Sequence, residues 1–162
     1  MQPVYIGLGS NLSGRMGEPK KQLEQALEAL SSHSQITLAD LSSNYKTKAI
    51  GPGSQPDYIN AVALIKTQLE PLTLLDYLQL IEQQHERERD IHWGARTLDL
   101  DILMYGNLTI DTPRLTIPHP RITERAFVLA PLLELNSDLS LPDGQSIAKA
   151  LANCSEQGIF RL

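Results

Sequence analysis

The sequence predicts an α+β fold, a ferredoxin-like sandwich in which helices cover one face of an antiparallel sheet. Strand-like and helix-like periodicities alternate in the order β-α-β-β-α-β between residues 4 and 104. The chain has 162 residues, of which 41% are hydrophobic and 20% charged, as expected for one globular domain covering 1–162. Because this architecture hosts many functions, function has to be argued from particular residues.

Hydrophobic periodicity defines the elements of the first half of the chain. An apolar stripe with helical spacing predicts a first helix at 19–30, which Pro19 can open. The residues Gly-Ser-Asn at 9–11 form a turn signal, and the glycine- and proline-rich stretch 47–56 predicts a loop. Alternation of apolar and polar residues predicts strands at 4–8, 36–45 and 58–67.

The second half adds a helix, a strand and further helices. Pro71 opens the second helix, whose apolar stripe leaves Glu82 off the core face, and residues 98–104 form the next strand. Gly106 and Asn107 predict a hairpin turn from which the chain returns. The remaining predicted elements are a helix capped by Thr123 and a short helix at 146–151. We expect no function in the C-terminal tail.

Charge and cysteine content exclude several classes of protein. The net charge of −5 argues against a general nucleic-acid binder. Six of the eight arginines lie between residues 87 and 125, an interval without lysine, which favours bidentate contacts to a small polyanion such as a nucleotide. The single cysteine, Cys154, and the lack of a signal sequence or a membrane-length apolar run indicate a reduced, cytoplasmic protein.

Asp99 and Asp101 are the main chemical signal. They alternate with apolar residues, so both carboxylates project from one face of a strand, about 7 Å apart at their Cα atoms. Two acids so close repel each other unless a cation joins them, and Mg²⁺ uses one or two carboxylates together with substrate phosphates. A solvated acidic face on an edge strand is the alternative. For Asn60, also inside a predicted strand, a specific hydrogen-bonding role and a solvated edge position both stay open.

Four segments in order give the chain a resemblance to a known family. They are YIGLGSNL at 5–12, QPDYINA at 55–61, RTLDLDIL at 96–103, and IPHPR at 117–121 with RAF at 125–127. With these motifs the sequence resembles the 6-hydroxymethyl-7,8-dihydropterin pyrophosphokinases of folate biosynthesis. The resemblance covers nearly the whole chain. It implies transfer of pyrophosphate from ATP to the hydroxymethyl group of the pterin, with release of AMP.

The resemblance also implies roles for individual residues. Asp99 and Asp101 correspond to acids that hold two Mg²⁺ ions, and Arg87 and Arg96 to a pair that assists charge transfer in the transition state. The pterin would contact Thr47, Ala49, Ile50, Tyr58, Asn60 and Phe127, with its ring between the two aromatic side chains. ATP would contact Gln79, Glu82, Arg87, Trp93, Arg96, Ile102, Arg114, Thr116, His119 and Arg125. The expected partners are therefore ATP and the pterin, without nucleic acid or membrane. We expect the protein to be a monomer.

The chain departs from the family pattern in one loop. His92 and Ala95 stand where arginine and proline are usual, and Glu86 stands where glycine often precedes the first arginine. The loop from 87 to 93, which carries Trp93, is also about one residue short. These differences concern the loop that would close over the nucleotide, not the paired acids. The identity of the general base also stays open. Asp101 could accept the proton of the pterin hydroxyl, or that proton could leave late in the reaction.

Two other interpretations stay open from the residues alone. Another two-metal transferase or hydrolase that uses nucleotides would employ the same acids and arginines but form different products. A non-catalytic ferredoxin-like module would need neither paired acids nor an acceptor site. Asp99 and Asp101, together with Tyr58, Asn60 and Phe127, count against that module. An RNA-binding sandwich is disfavoured by the net charge and by the few aromatic residues.

Overall fold

The structure is a computed structural model that describes residues 1–11, 17–47, 57–85, 98–154 and 157–162. Its first six elements are β1 (Gln2–Ser10), α1 (Pro19–Ser32), β2 (Ile36–Leu41), β3 (Tyr45–Thr47), β4 (Tyr58–Thr67) and α2 (Pro71–Gln84). The next three are β5 (Asp99–Tyr105), β6 (Ile110–Asp111) and β7 (Thr116–Ile117). A 3-10 turn (Ile122–Glu124), α3 (Ala126–Leu135), α4 (Ile147–Ala152) and β8 (Ile159–Arg161) complete the order. No helix among these described residues has the length and apolar character needed to cross a membrane.

The main sheet is antiparallel throughout, as predicted. Its strands lie in the order β5-β1-β4-β3-β8, and β2 also pairs with β4. The predicted strand at 36–45 is in fact two strands, because the backbone leaves the ladder at Ser42. There the N–H of Ser42 donates to the Val62 carbonyl (2.9 Å), while the Ser42 hydroxyl accepts from the Val62 N–H (2.8 Å).

Helices cover both faces of the sheet, so the prediction of a single covered face is wrong. On the first face, Val4 and Ile6 of β1 pack with apolar residues of α1 and α2. On the second face, Tyr5 of β1 and Leu103 of β5 pack with α3 and α4. Because these strands carry apolar residues on both faces, a second helical layer is needed to remove the other face from water.

The register of the central strand places the predicted site residues side by side. Gly9 of β1 is opposite Asn60 of β4 on one side and Asp99 of β5 on the other. Gly7, two residues earlier, is opposite Asp101. Residues two apart on a strand share a face, so the acids and Asn60 meet at one end of the sheet.

Several local predictions are corrected by pairing in the folded chain. Residues 9–11 do not form a turn directly after residue 8, because β1 continues to Ser10 and pairs with β4. The chain after Gly106 does not return along β5, since β6 pairs with β7 instead. Thr123 lies inside the 3-10 turn and does not cap α3, which begins at Ala126. The tail forms β8, which pairs with β3 and was not predicted.

Glu134 of α3 ties the second helical layer to the sheet edge. Its carboxylate accepts hydrogen bonds from the Ser43 N–H (2.9 Å), the Ser43 hydroxyl (2.9 Å) and the Tyr45 hydroxyl (2.8 Å), and Arg161 of β8 lies 3.3 Å away. The pKa of Tyr45 is raised to about 12, mainly by burial and secondly by the hydrogen bond to Glu134 and the negative charge of that carboxylate. Burial alone would raise the pKa of Glu134, but the hydrogen bonds from Tyr45 and Ser43 outweigh it and lower that pKa overall.

A buried polar pair joins α1 to the C-terminal end of α2. His85 is 2% exposed and its Nδ1 contacts Oε1 of the fully buried Gln22. The Gln22 amide also donates to the carbonyl of Gly17 at 2.8 Å. Burial lowers the pKa of His85, because the imidazolium would lose its hydration. The neutral ring therefore donates its Nδ1 proton to Gln22.

Candidate active site

A cavity of about 1080 Å³ lies on the second face of the sheet, beside the helical layer. β1, β4 and β5 supply its floor, and the segment from His119 to Val128 and the C-terminal residues 157–160 supply its walls. Several predicted site residues from separate parts of the sequence line this cavity: Thr47, Tyr58, Asn60, Asp99, Asp101, His119, Arg125 and Phe127. Pairing between distant strands therefore brings these predicted site residues together in one cavity.

Two glycines keep the cavity floor open. A Cβ on Gly9 would lie 2.8 Å from Oδ1 of Asn60, which is closer than real Cβ contacts, whereas a Cβ on Gly7 would meet Leu103 methyl carbons at 3.4 Å. The Asn60 carboxamide oxygen can therefore lie over β1 at residue 9 only because that residue has no side chain. The sequence interpretation missed this role. The available signal was the spacing of two, which in a strand places both glycines on one face.

The paired acids share one face of β5, as predicted, and both line the cavity. Asp99 and Asp101 are half-buried, while Leu98, Leu100 and Ile102 between and beside them are buried on the opposite face. Among the described residues no group of three or more His, Cys, Asp or Glu side chains could hold a metal ion. The protein donor set in this part of the chain is thus two hard carboxylates. Mg²⁺ fits such a set, because it commonly takes its remaining ligands from water and substrate phosphates.

Glu82 of α2 supports the strand that carries the acids. It is only 5% exposed, although the helical stripe had placed it off the core face, and its Oε2 accepts a hydrogen bond from the Leu100 N–H at 2.8 Å. Leu100 lies between Asp99 and Asp101, so this contact fixes the backbone between the two carboxylates. The burial of Glu82 is a tertiary effect that helical periodicity could not reveal.

The predicted pterin residues form one wall of the same cavity. The Asn60 amide donates to the Thr47 hydroxyl at 3.1 Å, and both side chains are buried. Tyr58 on β4 and Phe127 in the first turn of α3 are half-buried and line the cavity. Two aromatic rings and a fixed carboxamide suit a flat heterocycle with a polar edge.

His119 and Arg125 add polar groups beside Asp101. The His119 backbone N–H donates to the Leu103 carbonyl (3.0 Å), and its Nδ1 accepts from the Arg121 N–H (3.2 Å), so the neutral ring carries its proton on Nε2. Burial lowers the pKa of His119; the Asp101 carboxylate opposes this shift, and Arg125 and Arg121 add to it. His119 is therefore a neutral donor near pH 7.

The other predicted ATP residues within the described chain lie outside the cavity lining. Arg114 donates to Oε1 of Gln79 at 3.0 Å and contacts Asp76, so these residues form an exposed cluster at α2. Thr116 is half-buried on β7, and the Ile102 side chain is buried in the core under α1 and α2. The predicted roles of Ala49, Ile50, Arg87, Trp93 and Arg96 fall on positions outside the described residues.

The C-terminal segment is a part of the site that sequence reasoning missed. Gln157, Gly158, Ile159 and Phe160 all line the cavity. Gln157 also bonds to the backbone on both sides of Arg125, accepting from the Ala126 N–H (2.9 Å) and donating to the Glu124 carbonyl (2.7 Å). No local pattern in the tail announces these contacts, since they connect residues about thirty positions apart.

Comparison with known proteins assigns this chain to a family. The family model described as 7,8-dihydro-6-hydroxymethylpterin-pyrophosphokinase (HPPK) matches residues 5–137. The 2-amino-4-hydroxy-6-hydroxymethyldihydropteridine pyrophosphokinase of Pseudomonas aeruginosa is 47% identical over 162 residues, covering 100% of this chain and 98% of that protein. The protein of the same name from Haemophilus influenzae is 49% identical, with 100% and 99% coverage.

Solved structures agree on the fold. The crystal structure of an HPPK-DHPS protein in complex with substrates superposes with a TM-score of 0.71 at 13% identity, covering 94% of this chain and 43% of that chain. Wild-type Plasmodium falciparum HPPK-DHPS with pteroate gives a TM-score of 0.70 at 13% identity, with 94% and 42% coverage. The present chain spans less than half the length of those chains.

The fold and the cavity define an α+β domain that can bind a flat heterocycle beside paired acids. Because the family model matches residues 5–137 and the relatives match over the whole chain, the chain belongs to the 7,8-dihydro-6-hydroxymethylpterin pyrophosphokinase family. Its reaction is the transfer of pyrophosphate to hydroxymethyldihydropterin in folate biosynthesis.

Proposed function

We propose that the cavity is the active site of a Mg²⁺-dependent enzyme that transfers pyrophosphate from ATP to 6-hydroxymethyl-7,8-dihydropterin and releases AMP. The observation that carries this proposal is the juxtaposition of two functions in one cavity. Asp99 and Asp101 suit a metal, while Tyr58, Asn60 and Phe127 suit the pterin. β1 separates the two groups by the width of one strand, about 5 Å to each neighbour, so the acceptor hydroxyl can reach the transferred phosphorus.

The carboxylates of Asp99 and Asp101 would hold two Mg²⁺ ions together with the ATP phosphates. When bound, the ions would neutralise charge on the phosphate oxygens and align the attacking and leaving oxygens. Glu82 would keep the two carboxylates in place through its bond to Leu100. Neutral His119, with its proton on Nε2, would donate to a phosphate oxygen without competing with the metal for Asp101.

The pterin would bind between the rings of Tyr58 and Phe127. Asn60 would read the polar edge of the ring, because its amide is oriented by Thr47 and its oxygen lies over Gly9. A buried carboxamide with fixed donors and acceptors discriminates strongly, since a ligand that lacks matching groups leaves it unpaired. Ala49 and Ile50 are proposed to add backbone contacts.

ATP would extend from the acids across the outer edge of β5. The Leu100 N–H points to that edge, where it meets Glu82. In a strand the backbone groups of residues two apart point to the same side. The N–H and C=O of Ile102 therefore point to the same edge as those of Leu100, and we propose that they contact the nucleotide. The remaining proposed contacts to ATP are Gln79, Glu82, Arg114, Thr116, His119 and Arg125, with Arg87, Trp93 and Arg96 completing the set. Arg87 and Arg96 would offset charge that develops during transfer.

We further propose that this domain, residues 1–162, acts as a monomer in the cytoplasm. Cys154 is a buried free thiol, which suits a reducing compartment. Neither nucleic acid nor membrane is required by the proposed site. Size-exclusion chromatography with light scattering measures the mass in solution, and a mass of two or more chains would contradict the monomer.

A product assay tests the proposed reaction. The protein is mixed with ATP, 6-hydroxymethyl-7,8-dihydropterin and Mg²⁺, and nucleotides and pterins are separated by chromatography. We expect AMP and a diphosphorylated pterin in equal amounts, and no turnover when excess chelator removes divalent cations. Formation of ADP would indicate an ordinary kinase or hydrolase and would contradict the proposal.

A matched pair of variants tests the role of the acids. Asp101→Asn keeps the shape of the side chain but removes a metal-binding charge, and we expect turnover to fall by about a hundredfold or more. Asp138→Asn makes the same change in an exposed turn, so its turnover should equal that of the wild type. Near-normal turnover in Asp101→Asn would exclude the metal-binding role.

A further inference from the structure

The N-terminal end of α3 has no cap of its own. Its N-cap residue, Arg125, makes no side-chain hydrogen bond to the first turn. The N–H of Ala126, the first helical residue, has no partner within the helix, as for every residue of a first turn. Phe127, which lines the cavity, directly follows this residue, so the conformation of this turn decides where the aromatic ring lies.

The Gln157 side chain supplies the missing cap from the other end of the chain. Its Oε1 accepts from the Ala126 N–H at 2.9 Å, while its Nε2 donates to the Glu124 carbonyl at 2.7 Å. One carboxamide thus bridges the end of the 3-10 turn and the start of α3. The bridge spans Arg125, whose guanidinium lies 5.6 Å from the centre of the Phe127 ring, within the range of a cation–π contact.

The rest of the tail keeps this carboxamide in register. β8 begins two residues after Gln157 and pairs with β3, where Thr47 is opposite Ile159. At the far end of β8, Arg161 bonds to the Ser43 hydroxyl at 3.0 Å and to Glu134 at 3.3 Å. The tail is therefore tied to the sheet edge and to the opposite end of α3, so Gln157 cannot move without loss of these contacts.

From these contacts we propose that Gln157 is a positioning residue that fixes Phe127 in the cavity wall and thereby sets the affinity for the pterin. The inference rests on the proposed binding of the pterin by Phe127. Gln157 itself would not contact the reacting atoms. Its carboxamide acts through the backbone of residues 124–126.

The test compares Gln157→Ala with Gln145→Ala, a matched change at an exposed residue whose side chain donates to the nearby Asp143 carboxylate. Calorimetry measures the Kd for the pterin and for a non-hydrolysable ATP analogue with Mg²⁺. Loss of a helix cap corresponds to roughly a fivefold change in an equilibrium. We expect pterin binding to weaken by about fivefold in Gln157→Ala and binding of the ATP analogue by less than about twofold. Gln145→Ala should change neither.

Amide exchange and a double variant separate positioning from general damage. In Gln157→Ala the Ala126 amide should exchange faster, while amides in the middle of α3, such as Leu132, stay protected. In a Phe127→Ala background, Gln157→Ala should cause no further loss of pterin affinity. Unchanged pterin affinity in Gln157→Ala, equal losses for both ligands, or a full second loss in the double variant would each overturn the proposal.

The outcomes distinguish this proposal from the proposed site. If the wild type does not bind the pterin, or if Phe127→Ala alone leaves pterin affinity intact, the site assignment fails. If Phe127→Ala weakens the pterin but Gln157→Ala does not, only the positioning role fails. Should Gln157→Ala not fold, Gln157→Glu keeps the acceptor for Ala126 and loses the donor to Glu124. A smaller loss that affects only pterin affinity in that variant supports the proposal. Unchanged pterin affinity in that variant refutes it.

Discussion

Gly9→Ala is the perturbation whose effect the geometry defines most sharply. The added Cβ would lie 2.8 Å from Asn60 Oδ1, whereas ordinary contacts begin at 3.4 Å. The carboxamide must therefore move by about 0.6 Å or rotate. It cannot do so freely, because its nitrogen donates to the Thr47 hydroxyl at 3.1 Å in a buried setting.

The expected cost follows from two opposing effects. Replacing glycine by alanine in an extended strand stabilises by about 0.4–1 kcal/mol, because the unfolded chain loses freedom. Disturbing a buried hydrogen bond and crowding the site costs about 1–3 kcal/mol. Gly7→Ala has the same entropic gain, and its Cβ meets Leu103 at an ordinary 3.4 Å. The gain therefore cancels between the two variants, and Gly9→Ala should have a free energy of unfolding ~1–3 kcal/mol below that of Gly7→Ala. Neither glycine has a positive φ, so backbone strain does not confuse the comparison.

Urea unfolding followed by circular dichroism measures these differences. In an Asn60→Ala background the crowded atom is gone, so Gly9→Ala should cost less than about 0.5 kcal/mol. Gly9→Ala should also weaken pterin binding, because the displaced carboxamide no longer faces the ring edge. The reasoning is refuted if Gly9→Ala is as stable as Gly7→Ala, or if its cost persists without Asn60.

Three further predictions concern the aromatic wall and the two polar clusters. Phe127→Ala should weaken the pterin far more than an ATP analogue in calorimetry, and equal losses would remove Phe127 from the stacking role. Glu134→Ala leaves the Ser43 and Tyr45 donors without their acceptor, so the free energy of unfolding in urea should fall by ~1–2 kcal/mol; an unchanged midpoint contradicts this. Burial lowers the folded pKa of His85, so the unfolded chain binds the proton more readily. Stability should fall as pH drops below about 6.5. The fall in urea midpoint from pH 7.5 to 5.5 should shrink in His85→Asn, and an equal fall in both proteins would contradict it.

The parts of the fold that follow from local periodicity were predicted well from the sequence. β4 has the predicted bounds, α1 and β5 lie within a few residues of theirs, and α2 begins at Pro71 as predicted. The shared face of Asp99 and Asp101 was also predictable, because strand parity depends only on adjacent residues. The antiparallel sheet was confirmed by the structure.

The features that escaped prediction depend on contacts between distant segments. Gly9 looked like a turn residue, yet it lies inside β1 because its backbone pairs with Asn60 of β4 and Asp99 of β5. Glu82 looked solvent-exposed, yet it is buried and accepts a hydrogen bond from the Leu100 N–H of β5. β8 has three residues and no alternation to detect, and its existence depends on pairing with β3. The second helical layer escaped prediction for the same reason, because α3 and α4 pack on a sheet face that only the folded chain assembles.

Paramagnetic relaxation by Mn²⁺ tests most directly the proposal that Asp99 and Asp101 bind metal. Mn²⁺ replaces Mg²⁺ at oxygen sites, and it is added with a non-hydrolysable ATP analogue and the pterin while amide signals are recorded. The amides of Gly7 and Gly9, opposite the acids, should broaden first, whereas Gln2, about 20 Å away along β1, should broaden least. The effect should disappear in an Asp99→Asn, Asp101→Asn double variant. Broadening centred on another part of the chain, or unchanged in that variant, would contradict the proposed active site.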